Sequence, residues 1–194
     1  MLSVVIPTLN DERRLVRTLA CLVPGAADGL IVEAILADGG SSDDTEAVGD
    51  MAGCRQIQGP ADRGARLAAA AATAKAPWLL FIAPGVVLDE GWIRETRGFL
   101  DQTHRSGETG RRAAIFAHGV DGFGTAAQLA ALKARLAFVA GFGPAASQAL
   151  LIHAAHYHGR GGHPSGADSE RVFARRIGRG ALTVLRTRAT ALAI

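Results

Sequence analysis

The sequence predicts an α/β protein with a mostly parallel central sheet flanked by helices, in three α/β/α layers. Three observations carry that expectation. Short apolar, β-branched runs alternate with amphipathic stretches through the first hundred or so residues. The links between them are short. The runs stop at Pro, Gly or Asp-Gly turn signals. Strand–helix alternation with short links lays strands side by side in parallel and covers both faces with helices.

Taken in order, residues 2–6 are an apolar run stopped by Pro7, a buried strand. Residues 10–22 read as a helix, capped by Asn10, with Asp11 and Glu12 in its first turn and Leu15, Leu19 and Leu22 on one face. Pro24 and Gly25 are expected to end it. Residues 30–37 are a second strand, followed by the turn Asp38-Gly39-Gly40-Ser41-Ser42. A short helix over 43–51, a short strand over 54–58 and an alanine-rich helix over 63–75, ended by Pro77, come next. Residues 78–82 form a fourth strand with Ala83-Pro84-Gly85 at its carboxyl end, and 91–102 a further helix. Beyond a polar loop at 104–112, strands are expected over 113–118 and 181–185, and helices over 125–139 and 170–177. Residues 141–152 read as a glycine-containing loop entering an apolar strand. In an open parallel sheet, ligands bind at the carboxyl ends of the strands. That rule selects the loops 7–12, 38–44 and 83–86.

The 194 residues are read as one domain, 1–194. With 48% hydrophobic and 20% charged residues, the chain has the composition of a folded protein with a proper core. A net charge of +3 with scattered arginines and 5% aromatics argues against nucleic-acid binding. The 2 cysteines, Cys21 and Cys54, fit no metal or redox spacing, so free thiols in a reducing cytoplasm are the simpler reading. The start MLSVVIPTLNDE has no basic segment leading a long apolar run, so no signal peptide is expected. The longest uncharged apolar stretch, 136–152, is broken by Gly141, Gly143, Pro144, Ser147 and Gln148, which argues against a membrane span.

Two loop motifs stand out: Val4 to Glu12 (VVIPTLNDE) and, thirty residues on, Leu36 to Thr45 (LADGGSSDDT). In this order, each at a strand end, the pair resembles the inverting family-2 glycosyltransferases, whose openings read VVIPTLNE and VVDGGSxDGT. Residues 59–71 (GPADRGARLAAAA) are similar to that family's GRGxQxNxG helix, and 78–92 (WLLFIAPGVVLDEGW) to LLFLHADTxLPPGW. Looser likenesses follow at 146–152 (ASQALLI), 157–164 (YHGRGGHP, where the family reads FxxLGGFP) and 168–177 (DSERVFARRI, against EDVEFSRRL).

The resemblance implies a GT-A fold and sugar transfer, with inversion, from a nucleotide-sugar donor, UDP-linked, to an acceptor hydroxyl. Residues 1–102 would bind the nucleotide and 103–194 face the acceptor. Pro7, Thr8, Asn10 and Glu12 would line the nucleotide pocket, and Asp38 would accept hydrogen bonds from a pyrimidine N–H or a ribose hydroxyl. Arg63, Arg66 and Gly85 would approach the base or the phosphates. Bland alternatives stand beside these roles: Asp38 can stabilise its own turn, and the arginines can be solvated first-turn residues.

The chain departs from the family where a metal would bind. Family members end the fourth strand in an Asp-x-Asp motif that holds Mg²⁺ or Mn²⁺. Here Ala83, Pro84 and Gly85 carry no side-chain oxygen, so the family's divalent metal is expected but its usual ligands are missing. Asp89 and Glu90 read as a helix cap and a first-turn acid rather than displaced ligands. Ser147 stands where relatives have Asp. In the segment that carries the family's general base, Glu170 is the better-aligned carboxylate and Asp168 the fallback; either can instead be a helix N-terminal acid. His153, His156, His158 and His163 read as packed or solvated side chains rather than a metal site.

A hexosyltransferase acting on a lipid, saccharide or small-molecule acceptor is therefore expected. It would be cytoplasmic, with peripheral contact at the inner face of the membrane if the acceptor is a lipid. The alternative is a catalytically impaired relative that binds a nucleotide or a partner. A nucleotidyltransferase or another nucleotide-binding α/β protein with a similar first half is a third possibility, but kinases and dehydrogenases are disfavoured, because no GxxxxGK[ST] or GxGxxG loop follows the first strand.

Overall fold

A computed structural model describes residues 1–120, 148–166 and 168–192. The expected helix over 125–139, most of the apolar stretch 136–152, and Ser147 lie outside them. One eight-stranded sheet organises the chain. Its strands are β1 (Leu2–Thr8), β2 (Ile31–Asp38), β3 (Arg55–Gln58), β4 (Trp78–Phe81), β5 (Val86–Leu88), β6 (Ala113–Val120), β7 (Leu150–His153) and β8 (Leu182–Ala191), in spatial order β3-β2-β1-β4-β7-β6-β8-β5. The first four are parallel. β6 and β8 also pair in parallel, whereas β7 runs antiparallel to β4 and β6, and β5 antiparallel to β8.

β1 is buried along its whole length, as a continuous apolar run between two helical layers should be. Strand alternation divides it between two cores. Leu2, Val4 and Ile6 face a cluster with Leu15, Leu22, Trp92 and Phe99, from α1 (Glu12–Ala27) and α4 (Trp92–Arg105). Val5 faces the opposite cluster, with Leu67 of α3 (Arg63–Ala72), Tyr157 of the short helix Ala154–Gly159, and Phe173 and Ile177 of the helix Ser169–Ile177. α2 (Thr45–Met51) follows the β2 turn.

Several local expectations are corrected. Helix α1 does not stop at Pro24. It continues to Ala27, with Pro24 in its last turn, because Gly25 is a packing contact rather than a terminator. A Cβ on Gly25 would lie 2.5 Å from the Trp92 ring. Asp11, not Asn10, is the N-cap residue of α1. α3 ends three residues early, where the Thr73 hydroxyl bonds back to the Ala70 carbonyl at 2.9 Å and Arg55 donates to the Thr73 carbonyl. Gly91 is the N-cap residue of α4, and the first-turn acid is Glu95 rather than Glu90; Glu95 accepts the backbone N–H groups of Arg186 and Thr187 on β8. β8 is ten residues long, twice the expected length, because it pairs with β6 over most of its run and with β5 at its end.

Candidate functional site

The carboxyl ends of β1 and β2 lie side by side, with Thr8 in register with Asp38. The Asp38 carboxylate is almost fully buried and accepts four hydrogen bonds. Oδ1 takes the Thr8 hydroxyl at 2.8 Å and the Ser41 hydroxyl at 2.5 Å; Oδ2 takes the N–H of Gly40 at 2.8 Å and of Ser41 at 2.7 Å. A carboxylate offers about four acceptor sites, so this one is filled by its own turn and by Thr8. Burial raises its pKa, but the hydrogen bonds from Ser41, Thr8 and Gly40 outweigh burial and hold it below the usual value.

The β1 loop is laced to the turn after β2. Asn10 N–H donates to Ser41 Oγ, Asp11 N–H to Thr45 Oγ1, and Glu12 N–H to Asp43 Oδ2, while Asn10 Oδ1 accepts the Ser42 N–H. Asn10 adopts a left-handed φ of 55°, a conformation its short polar side chain tolerates. Asn10 and Glu12 thus sit on a loop tied to the Asp38 turn, and Pro7 lies at the end of β1.

Arg66 packs against the Asp38 turn. Asp62 caps α3 by accepting the Ala65 N–H at 2.8 Å, which sets the helix start, and Arg66 then extends across Gly39 and Gly59. A Cβ on Gly39 would come within 2.5 Å of Arg66 Nη1, and one on Gly59 within 2.8 Å of its Cγ. Arg66 is only 3% exposed, and its Nη1 donates to the carbonyls of Pro60 and Ala61. Its buried Nε–H has no partner, and no carboxylate lies within ion-pair distance among the described residues. Burial and the nearby Arg63 charge lower its pKa against the pull of Asp38, Asp62 and Asp11. A desolvated guanidinium with an idle donor is suited to an anion or a nucleobase carbonyl.

Across the cleft, Arg63 Nε donates to Glu170 Oε1 at 2.6 Å, tying α3 to the helix Ser169–Ile177. The two pack closely: a Cβ on Gly64 would lie 2.7 Å from Ser169 Cβ, and 1.9 Å from the Pro164 carbonyl oxygen in the loop before that helix. Burial raises the Glu170 pKa, but Arg63 outweighs it, so the carboxyl is held ionised. Glu170 and Arg63 line a small pocket with Pro7, Ala83, Phe81 and His163, with about 30 Å³ of space for water-sized groups.

Other expected site residues fall elsewhere. Asp168 is the N-cap residue of the same helix, but its side chain is 74% exposed and lies 3.7 Å from Arg171. Gly85, at φ 84°, donates its N–H to α1, to the Arg14 carbonyl and the Thr18 hydroxyl at 2.9 Å, and its carbonyl accepts from Leu192. Its amide is therefore not turned towards a ligand. The turn Ala83-Pro84-Gly85 has no side-chain oxygen, so its donor set does not fit a hard cation bridging a diphosphate. His153 caps the short helix by accepting the Ala155 N–H, and His156 Nδ1 faces the Arg112 carbonyl. Tyr157, whose hydroxyl meets His163 Nδ1 at 3.0 Å, was not among the expected site residues; its only sequence signal was its place in the YHGRGGHP segment.

A family model described as "Glycosyl transferase family 2" matches residues 3–161. The chain is similar in structure to S. aureus TarS 1–349, with a TM-score of 0.73 and 15% identity over 98% of this chain and 60% of that one. It is equally similar to the same TarS fragment in complex with UDP-GlcNAc, with a TM-score of 0.73 and 15% identity over 100% of this chain and 59% of that one. Glucosyl-3-phosphoglycerate synthase from Mycobacterium tuberculosis, in complex with Mn²⁺, UDP and glucosyl-3-phosphoglycerate, gives a TM-score of 0.66 at 21% identity over 100% of this chain and 72% of that one. The chain thus spans 60% of the length of the TarS fragment. No curated protein matches it significantly in sequence. The three-layer α/β/α architecture is the GT-A fold. Among the described residues, no helix is long and apolar enough to cross a membrane.

Proposed function

The chain belongs to glycosyl transferase family 2, and from that premise we propose that it transfers a hexose from a UDP-sugar to an acceptor hydroxyl, with inversion, without a bound metal. One observation carries the proposal: Arg66, buried beside the Asp38 turn with an unpartnered Nε–H. A buried donor left unpaired costs about 1–3 kcal/mol, and a bound uridine diphosphate would remove that cost. The similar structures that hold UDP or UDP-GlcNAc support the choice of nucleotide.

In this reading residues 1–102 bind the donor. Pro7, Thr8, Asn10 and Glu12 line its site, Asp38 holds the turn in shape, and Arg66 and Arg63 balance the diphosphate charge. Residues 103–194 face the acceptor. Glu170, ionised and in the cleft, takes the proton of the attacking hydroxyl. The hydroxyl oxygen bonds to the anomeric carbon as the bond to the diphosphate breaks, its electron pair leaving on UDP. Asp168, exposed, is not needed for this step. The proposal includes a cytoplasmic protein that touches the inner face of the membrane when its acceptor is a lipid.

A second reading is a nucleotide- or partner-binding relative that no longer transfers sugar. The Ala83-Pro84-Gly85 turn, bonded back onto α1, favours it. Calorimetry with UDP and GDP, with and without Mn²⁺, followed by assay of UDP-sugar hydrolysis, separates the two. Metal-independent UDP binding with slow hydrolysis supports the transferase. Binding without hydrolysis supports the second reading, and no binding to either nucleotide removes both nucleotide readings.

A further inference from the structure

We propose that His163 donates a hydrogen bond from Nε2 to the oxygen of the attacking hydroxyl and so holds that oxygen against Glu170. This rests on the transferase reading above.

The ring is fixed in place and in tautomer. It is 4% exposed, with its centroid 4.7 Å from the Phe81 ring and 4.8 Å from the Phe173 ring. The Tyr157 hydroxyl accepts the His163 backbone N–H at 3.0 Å and lies 3.0 Å from His163 Nδ1. Tyr157 is 1% exposed, so its O–H must find an acceptor inside the protein. Among the described residues Nδ1 is the acceptor within reach. Tyr157 therefore donates to Nδ1, and the proton of the neutral ring sits on Nε2. Burial pushes the imidazole pKa down to about 4, so the ring stays neutral at neutral pH.

Nε2–H makes no hydrogen bond within the described residues. His163 lines the same pocket as Glu170 and Arg63, and the Glu170 charge acts on it. The space there is enough to seat a water or a hydroxyl group. An oxygen seated there would give its proton to a carboxylate on one side and accept an N–H on the other. That pairing aims a lone pair and removes a proton in one geometry.

The test uses the full chain, with water as the acceptor in hydrolysis of UDP-glucose and UDP-N-acetylglucosamine. His163→Phe keeps the ring packing and removes the donor; His163→Gln keeps an N–H close to the Nε2 position. The Phe variant is expected to lower the hydrolysis rate about tenfold with UDP affinity unchanged, and Gln to recover most of the loss. Equal losses for Phe and Gln, or a wild-type rate for Phe, would overturn the proposal. ¹⁵N NMR of the histidine ring gives a readout independent of turnover. It is expected to report Nε2–H with Nδ1 unprotonated, and an Nδ1–H tautomer would overturn the proposal while leaving UDP binding intact. Failure of the wild-type chain to bind UDP would instead sink the transferase reading itself.

Discussion

Thr8 Oγ1 donates to Asp38 Oδ1 at 2.8 Å, and this one buried bond joins two strand ends that are 30 residues apart in the chain. The pair ties the end of β1 to the turn after β2. Thr8→Val keeps the shape and removes the donor to a buried charge. It should destabilise the protein by about 2 kcal/mol, roughly 4–8 °C in Tm, as read by thermal melting. Asp38→Ala leaves the Gly40 and Ser41 donors without their acceptor and should weaken UDP binding more than tenfold in calorimetry. Unchanged affinity would show that the Asp38 turn does not shape the nucleotide site.

Arg66 separates a binding role from a structural one. Its charge is buried and its Nε unpartnered, so Arg66→Met should leave the unfolding free energy within about 1 kcal/mol of wild type, as read by thermal melting. The same variant should lose about a hundredfold in UDP affinity. A large fall in Tm with unchanged affinity would make Arg66 a scaffold residue.

Gly64 tests the contact that brings Glu170 to the cleft. A Cβ there would meet the Pro164 carbonyl oxygen at 1.9 Å, a backbone atom that cannot swing aside. Gly64→Ala should therefore cost about 3 kcal/mol or more and weaken the Arg63–Glu170 pair. Melting curves and the hydrolysis rate should fall together.

Acid should destabilise the fold in two stages. His163 has a folded pKa of about 4, below its ordinary 6.5, so the unfolded chain binds its proton first. Stability is therefore lost as pH falls from about 6.5 towards 4, by about 3 kcal/mol for this group. His118, His153 and His156, also lowered by burial, act in the same direction. His163→Phe should flatten part of that slope in melts run across the window. Asp38 and Glu170 have folded pKa values below their ordinary ones, so their stabilisation is present at neutral pH and is lost below about pH 4.

Local signals in the sequence predicted the first half well. The first strand, the Asp38-Gly39-Gly40 turn and the start of the alanine-rich helix lie where periodicity and turn chemistry put them, although β1 runs through Pro7 to Thr8 and the helix ends at Ala72. What failed depended on distant contacts. Pro24 and Gly25 read as a stop, but Trp92, far along the chain, needs Gly25 inside α1. β5 has only three residues and exists because β8 pairs with it. At the site, the sequence named Asp38, Arg63, Arg66 and Glu170. It could not show that Asp38 is already saturated, or that Arg63 reaches Glu170 across 107 residues. Nor could it show that Gly85 turns towards α1, because that follows from where the Thr18 hydroxyl sits.

In the proposed transferase, the site beside Thr8, Asp38 and Arg66 holds a uridine diphosphate without a metal. Crystals of the chain soaked with UDP in the presence of EDTA test it most directly. Nucleotide density is expected at that site, with Arg66 Nε within hydrogen-bond distance of a ligand oxygen. Density at another surface, or a filled site in which Arg66 Nε stays unpaired, would contradict it.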